Sequence, residues 1–250
     1  MRLEYAPLLQ VQRDLYRMPR GMERFQAYLE TMTDAETRDM KLPLSAMNPM
    51  GKDHVPALLD QYLAFDADGL SARVVFEAEP RLAQLPGEFK VTLVISDDAM
   101  GGWTNRYTSE FNHRFGSKAY FRRGWITGVL WTSETPSEQA VREETLTAVY
   151  RAAFIEQHGF ARTLGEMMAQ EGYAMAMAGC IPSLDADEID YTREVIRPHL
   201  ETKDLPTQMA CLFGDEAAYA LGYAQMGLSA RAGFALACAD ARLRLPQSIQ

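Results

Sequence analysis

An unbroken apolar run at residues 125–131 constrains the fold of this chain more than any other feature. The run, Trp-Ile-Thr-Gly-Val-Leu-Trp, combines β-branched and aromatic side chains over a length typical of a strand. Apolar residues without polar alternation predict a strand that is covered on both faces. The chain is therefore expected to enclose a sheet that contains this strand.

Two consecutive helices are predicted directly after this strand. Ser137 has the residue type and the position of a helix N-cap, and Gly159 has those of a helix stop. Apolar residues recur between them at three- and four-residue spacing, as one buried helix face requires. A second helix is predicted over 161–178, with Gly179 as its stop.

Two further strands are predicted earlier in the chain, at 72–79 and 88–96, with a connection that suggests an antiparallel hairpin. Residues 1–35 have helical spacing. Helices precede and follow the strands but do not alternate with them, which favours an α+β fold over a doubly wound sheet. The expected fold is mostly helical, with a small antiparallel sheet of about three strands within residues 72–131, flanked by N-terminal and C-terminal helices.

The chain is expected to form one α+β domain over residues 1–250, because no repeat or low-complexity linker divides it. The alternative is a separable helical subregion at 180–250. Its last helix, at 230–243, is apolar nearly all round. Such a helix is either central to its own fold or pressed against another subunit, so a homo-oligomer through 230–243 is a second hypothesis.

Charge and composition exclude several classes of protein. A formal net charge of −9 argues against a nucleic-acid surface, since phosphate binding needs a concentrated positive patch. No run of eighteen apolar residues occurs, so no membrane span is expected. The cysteines are odd in number, widely spaced and set among apolar residues: Cys180, Cys211 and Cys238. Together with a start unlike a signal peptide, they predict a cytoplasmic protein.

A first set of candidate site residues combines carboxylates with imidazoles. Glu156, His158, Glu166 and His113 are predicted to be catalytic, because a helix end followed by a returning helix can place an acid beside a base. Glu110 and His113 lie three apart on one helix face, a spacing that also suits a divalent metal. The alternative is that Glu166 and Glu171 lie on a solvated helix face and that His158 is a cation favoured by the dipole at a helix C-terminus.

A second set follows the strand at 88–96. Gly101 and Gly102 predict a turn, and Thr104 or Asn105 is placed to cap a short helix that carries Arg106 in its first turn. Backbone N–H groups at a helix start and nearby arginines bind anions, so these residues and Arg122 are predicted to hold an anionic substrate. The alternative is that the arginines pair with the abundant carboxylates of the chain.

Three functions follow from these patterns. The first is a small-molecule enzyme with a polar Glu/His/Arg cleft, a metal-assisted hydrolase or a lyase acting on an anionic substrate. The second is a non-catalytic binder of an anionic small molecule. The third is an oligomeric helical scaffold. No Gly-x-Ser-x-Gly motif or Gly-rich phosphate loop occurs to narrow the choice.

Overall fold

The computed structural model describes residues 1–99 and 105–244. The chain divides into two compact units, one of residues 1–106 and 119–148 and the other of residues 107–118 and 149 onward. Each unit has its own cluster of buried apolar side chains.

The first unit contains a three-stranded sheet, β1-β2-β3 in spatial order among the described residues. The strands are β1 (Arg2–Tyr5), β2 (Glu88–Ser96) and β3 (Trp125–Trp131). Its helices, in chain order, are α1 (Leu9–Leu15), α2 (Met22–Met32), α3 (His54–Ala64) and α4 (Ala67–Leu82).

The second unit is helical throughout the residues that the structure describes there. It includes all of α5 (Arg106–Phe115) except its first residue, whereas α6 (Lys118–Arg122) belongs to the first unit except for Lys118. The long helix α7 (Glu138–His158) has residues in both units, 138–148 in the first and 149–158 in the second. The remaining helices are α8 (Leu164–Met177), α9 (Ala186–Ile196), a 3-10 turn (Arg197–His199), α10 (Leu205–Phe213), α11 (Asp215–Ala220) and α12 (Ala232–Arg244).

The predicted antiparallel sheet is wrong, because all three strands are parallel. Parallel neighbours cannot be joined by a tight hairpin and need a long crossover. Helices α1–α4 lie between β1 and β2 in the chain, and α5 and α6 lie between β2 and β3. Helices therefore do alternate with the strands, contrary to the sequence interpretation, and the carboxyl ends of the strands lie at one edge of the sheet.

The predicted strand at 72–79 belongs instead to helix α4. Its buried residues recur with the helical period, at Ser71, Val74, Val75, Ala78 and Leu82. This period outweighs the strand propensity of the two valines. The remaining strand of the sheet is β1 at the N-terminus, within the segment 1–35 that was predicted to be helical.

The strand at 125–131 is confirmed, and every residue of β3 is buried. Helix α7 lies very close to it: a Cβ added at Gly128 would come within 2.6 Å of Leu93 Cδ2 and 3.1 Å of Glu144 Cγ. The Glu144 carboxylate accepts a hydrogen bond from the Val129 N–H at 2.9 Å. A helix side chain thus satisfies an N–H of a strand at the edge of the sheet.

The predicted helix ends are also confirmed. Ser137 accepts a hydrogen bond from the Ala140 N–H at 3.1 Å, as an N-cap does. Gly159 and Gly179 follow α7 and α8 with φ of 80° and 81°, the left-handed conformation that favours glycine. None of the described helices is both long and apolar enough to cross a membrane.

Candidate active site

Polar side chains collect at the carboxyl edge of the sheet in the first unit. Strand β2 ends at Ser96 and is followed by Asp97 and Asp98, while β3 ends at Trp131 and is followed by Thr132 and Ser133. The Thr132 N–H donates to the Ser96 carbonyl at 3.1 Å and so keeps the two strand ends together. This edge is where open parallel sheets place their ligands.

Asp97 is the centre of this cluster and is only 3% exposed. One carboxylate oxygen, Oδ1, lies 2.7 Å from His54 Nε2 and accepts from the Thr132 hydroxyl at 3.0 Å. The other oxygen, Oδ2, accepts from the Asn48 amide at 3.0 Å. A carboxylate that has lost water is thus held by two neutral donors and one imidazole.

His54 is the first residue of α3, and its imidazole is turned toward Asp97. Since Asp97 accepts at Nε2, that nitrogen carries the proton in the neutral ring, and Nδ1 keeps its lone pair. Nδ1 is buried and has no hydrogen-bond partner among the described residues. The pair therefore has the arrangement of a base oriented by a carboxylate.

The segment that carries Asn48 is fixed by Tyr16, the buried residue that follows α1, and by its own backbone. The Tyr16 hydroxyl donates to the Asn48 carbonyl at 2.6 Å, and the Met50 N–H donates to the Asn48 side chain at 3.0 Å. Burial raises the pKa of Tyr16, so its hydroxyl stays protonated and remains a donor. Asn48 is consequently held by its backbone and by its side chain.

Arg24 fixes the other end of the same segment. Its guanidinium donates to the carbonyls of Met18 at 2.8 Å, Pro49 at 3.4 Å and Gly51 at 3.3 Å, and it lies 5.2 Å from the centre of the Tyr16 ring. The residue is 7% exposed, and this burial lowers the pKa of the guanidinium below its ordinary value. Burying a cation costs free energy, and the hydrogen bonds from Arg24 to the backbone carbonyls offset that cost while they order the loop.

Gly51 allows this segment to pack against α3 just before His54. A Cβ at this position would lie 2.8 Å from Val55 Cγ2, 3.1 Å from the Tyr16 hydroxyl oxygen and 3.2 Å from the Asn48 carbonyl oxygen. Any larger residue would push α3 away from the segment, and His54 with it.

Asp98 forms a second layer of the cluster. It accepts from the Ser133 hydroxyl at 2.6 Å and from Arg106 at 3.0 Å. Burial opposes its ionisation, but the hydrogen bonds from Ser133 and Arg106 prevail and hold the pKa of Asp98 below its ordinary value. Arg106 also binds Glu134 at 2.6 Å and lies 4.1 Å from the Trp131 ring centre. Its guanidinium is therefore engaged on several sides.

The structure describes only two of the five residues predicted to bind an anion, Arg106 and Arg122. Gly101, Gly102 and Thr104 lie outside the described residues. Arg106 lies in the cluster, where two carboxylates already bind it. Arg122 is exposed at the end of α6. Their role in binding an anion stays a prediction.

The predicted catalytic and metal-binding residues all lie in the second unit. Glu110 is buried, and its carboxylate accepts from Arg114 at 2.8 Å and from both terminal nitrogens of Arg231 at 2.8 and 3.1 Å. His113 is half-buried on the same helix, α5. In this structure the Glu110 oxygens are therefore occupied by guanidinium groups.

The other three predicted residues lie along α7 and α8. Glu156 is half-buried, and His158 is exposed with its ring centre 4.4 Å from that of Phe154. Glu166 forms a capping box with Thr163, in which each side chain bonds the backbone N–H of the other residue. These hydrogen bonds lower the pKa of Glu166. No group of three or more metal-ligating side chains with suitable geometry occurs within residues 1–99 and 105–244.

The sequence interpretation missed His54, Asn48 and Thr132 as partners of Asp97. A usable signal was present, since two carboxylates directly follow a buried strand and two hydroxyls directly follow the next. That signal points to a site only if the strands are parallel, because only then do both pairs lie at one edge. No protein-family model, curated protein or solved structure matches this chain.

Proposed function

We propose that this protein is a small-molecule enzyme, a hydrolase or a lyase, in which His54 is the general base and Asp97 orients it. The observation that carries the proposal is the 2.7 Å contact between His54 Nε2 and a carboxylate oxygen of the buried Asp97. Positioned bases of this kind raise rates by about 10²–10⁴-fold.

The proton transfers follow from the hydrogen bonds. Nδ1 would take a proton from a water molecule or from a carbon-bound position of the substrate, which gives an imidazolium ion. The Asp97 carboxylate stabilises that ion, while Thr132 and Asn48 donate to the carboxylate and fix its position. In the second half of the reaction the imidazolium returns the proton to the leaving group, so the enzyme ends in its starting state.

The charge of the cluster bears on the substrate. Asp97, Asp98 and Glu134 bring three carboxylates to this edge, and Arg106 pairs with two of them, Asp98 and Glu134. An acidic edge attracts neutral or cationic molecules more readily than anions. We therefore infer a neutral or cationic substrate here, in place of the anionic substrate predicted from the sequence. A cytoplasmic location remains part of the proposal, since Cys211 is a buried cysteine without a disulfide, as expected in a reducing compartment.

The test compares three histidine variants in one assay. Hydrolysis and elimination are measured on a panel of neutral, cationic and anionic model esters, amides and β-substituted carbonyl compounds. His54→Gln is expected to abolish any activity of the wild type, whereas His158→Gln and His199→Gln leave it unchanged. Loss of activity in His158→Gln with full activity in His54→Gln would reject the proposal and support the site predicted from the sequence.

A second measurement needs no substrate. In ¹⁵N-resolved NMR spectra of the imidazoles, His54 is expected to carry its proton on Nε2 in the neutral ring, because Asp97 accepts there. Asp97→Asn should change that tautomer. A proton on Nδ1 in the wild type would contradict the proposed role of this nitrogen.

A further inference from the structure

A cleft of about 400 Å³ lies within the second unit, among α7, α8 and α12. This volume is within the range of small-molecule sites. The backbones of α8 and α12 approach closely at Gly172, where an added Cβ would come within 2.4 Å of the Ala237 carbonyl oxygen. That close approach places small residues, Gly165, Ala169 and Ala241, along the cleft, so that its space is not filled by side chains.

Most of the residues that line the cleft are apolar. Phe154 and Tyr173 line it with ring centres 5.6 Å apart, and Met168, 8% exposed, lies in its wall. Burial raises the pKa of Tyr173, so its hydroxyl is neutral at physiological pH. These side chains offer a surface for an aliphatic or aromatic body.

Two charged residues line the same cleft, and they differ in whether they form an ion pair. Asp240 is already paired, because its carboxylate accepts from Arg193 at 2.8 Å. Arg244, at the end of α12, has no ion-pair partner among the described residues. The cleft thus combines an apolar interior with one positive charge that no described carboxylate neutralises.

We propose that this cleft binds a small amphiphilic monoanion, with its apolar body against Phe154, Met168 and Tyr173 and its carboxylate on the Arg244 guanidinium. A guanidinium binds a carboxylate through two parallel hydrogen bonds, which fixes the orientation of the ligand. The site is separate from the His54 site and does not rest on the proposed reaction.

The probe is decanoate, titrated into the full chain by isothermal titration calorimetry, with decylammonium as the ligand of opposite charge. Decanoate is expected to bind with a stoichiometry of one and decylammonium to bind at least tenfold more weakly. Arg244→Gln should weaken decanoate about tenfold or more, whereas Arg197→Gln, which removes an exposed arginine elsewhere in the second unit, should not change it.

The apolar part is tested by filling the cleft. Ala169 is exposed on α8, so Ala169→Trp can place an indole in the cleft without disturbing the core; it should abolish decanoate binding. Ala83→Trp, at an exposed alanine of the first unit, is the matched control. Circular dichroism spectra establish that each variant is folded.

Three results would overturn the proposal. Equal affinity for decanoate and decylammonium would remove the role of Arg244. Unchanged decanoate binding by Ala169→Trp would place the ligand elsewhere. Binding only by a chain shortened after Arg244, and not by the full chain, would assign the cleft to the chain's own last six residues.

Discussion

The carboxylate of Glu171 is completely buried between two guanidinium groups, and its protonation should control the stability of the second unit at acid pH. Arg151 donates to it at 2.6 and 3.0 Å, and Arg114 forms a further ion pair with the same carboxylate. Burial alone would favour the protonated acid, but the two arginines outweigh it and lower the pKa of Glu171 from 4.5 to about 2.

The size and the sign of the change in unfolding free energy follow from the linkage between protonation and folding. A group whose pKa is depressed on folding contributes stability that is complete above its unfolded pKa and is lost as the pH falls through its folded pKa. For Glu171 this window runs from about pH 4.5 down to about pH 2, and the contribution is about 3 kcal/mol at neutral pH. Glu171→Gln should cost a similar amount at pH 7, since it leaves Arg114 and Arg151 without their shared anion.

The assay is urea unfolding followed by circular dichroism at pH 7, 5, 4 and 3, with hydrogen exchange of α8 peptides to localise the transition to the second unit. The difference between wild type and Glu171→Gln should be largest at pH 7 and should shrink below pH 4.5. Glu194→Gln, an exposed partner of Arg197, is the matched control and should change little. A difference that stays constant from pH 7 to pH 3 would refute the reasoning.

Three further substitutions test the packing of the two units. Arg24→Met should destabilise the first unit by about 2 kcal/mol in urea unfolding, because three backbone carbonyls lose their donor. Gly51→Ala should cost about 1–3 kcal/mol by the clash with Val55, whereas Gly21→Ala, with open space at its Cβ, should cost far less. Leu236→Glu places a charge at a site that is 2% exposed in α12 and should unfold the second unit; a folded, dissociated protomer in sedimentation would instead support an interface at 230–243.

Local signals in the sequence were sufficient for many of the helices. Ser137, Gly159 and Gly179 act through their own backbone neighbours, so their roles can be read from a few adjacent residues. Asp185 acts in the same local way, since its side chain accepts from the Glu188 N–H at the start of α9. Helix boundaries set by such caps need no knowledge of the tertiary fold.

The direction of the strands could not be read in the same way. Strand β1 has only four residues, and its exposure alternates between exposed and half-buried, so it lacks the apolar run that identifies β3. It becomes a strand because β2 offers a free edge to Arg2–Tyr5. The valines of α4 caused the opposite error, a strand predicted where the chain is helical. Strand propensity depends on packing that a local pattern does not contain.

The site was hidden for the same reason. Asp97 and Thr132 are brought together only by the parallel pairing of β2 with β3, and His54 reaches them only because α3 belongs to the crossover between β1 and β2. Sequence spacing favoured Glu110 and His113 because they share a helix face. In the folded protein the Glu110 carboxylate instead forms ion pairs with Arg114 and Arg231.

Two of the buried carboxylates, Asp97 and Glu171, differ in the charge of their partners. Glu171 is met by two permanent cations, so its charge is compensated at every physiological pH and its role is structural. Asp97 is met by an amide, a hydroxyl and an imidazole, so none of its hydrogen-bond partners among the described residues is a permanent cation. That is the electrostatic condition a general base requires.

Asp97→Asn turns this contrast into a prediction. The new amide keeps one acceptor and the shape of the side chain, so the loss of stability should be about 1–2 kcal/mol, smaller than for Glu171→Gln. Its N–H₂ group can donate to His54 Nε2, which moves the imidazole proton to Nδ1 and removes the base from that atom. Imidazole NMR and urea unfolding measure the two effects separately. A loss of stability as large as that of Glu171→Gln, with the His54 tautomer unchanged, would mean that Asp97 is a structural carboxylate as well.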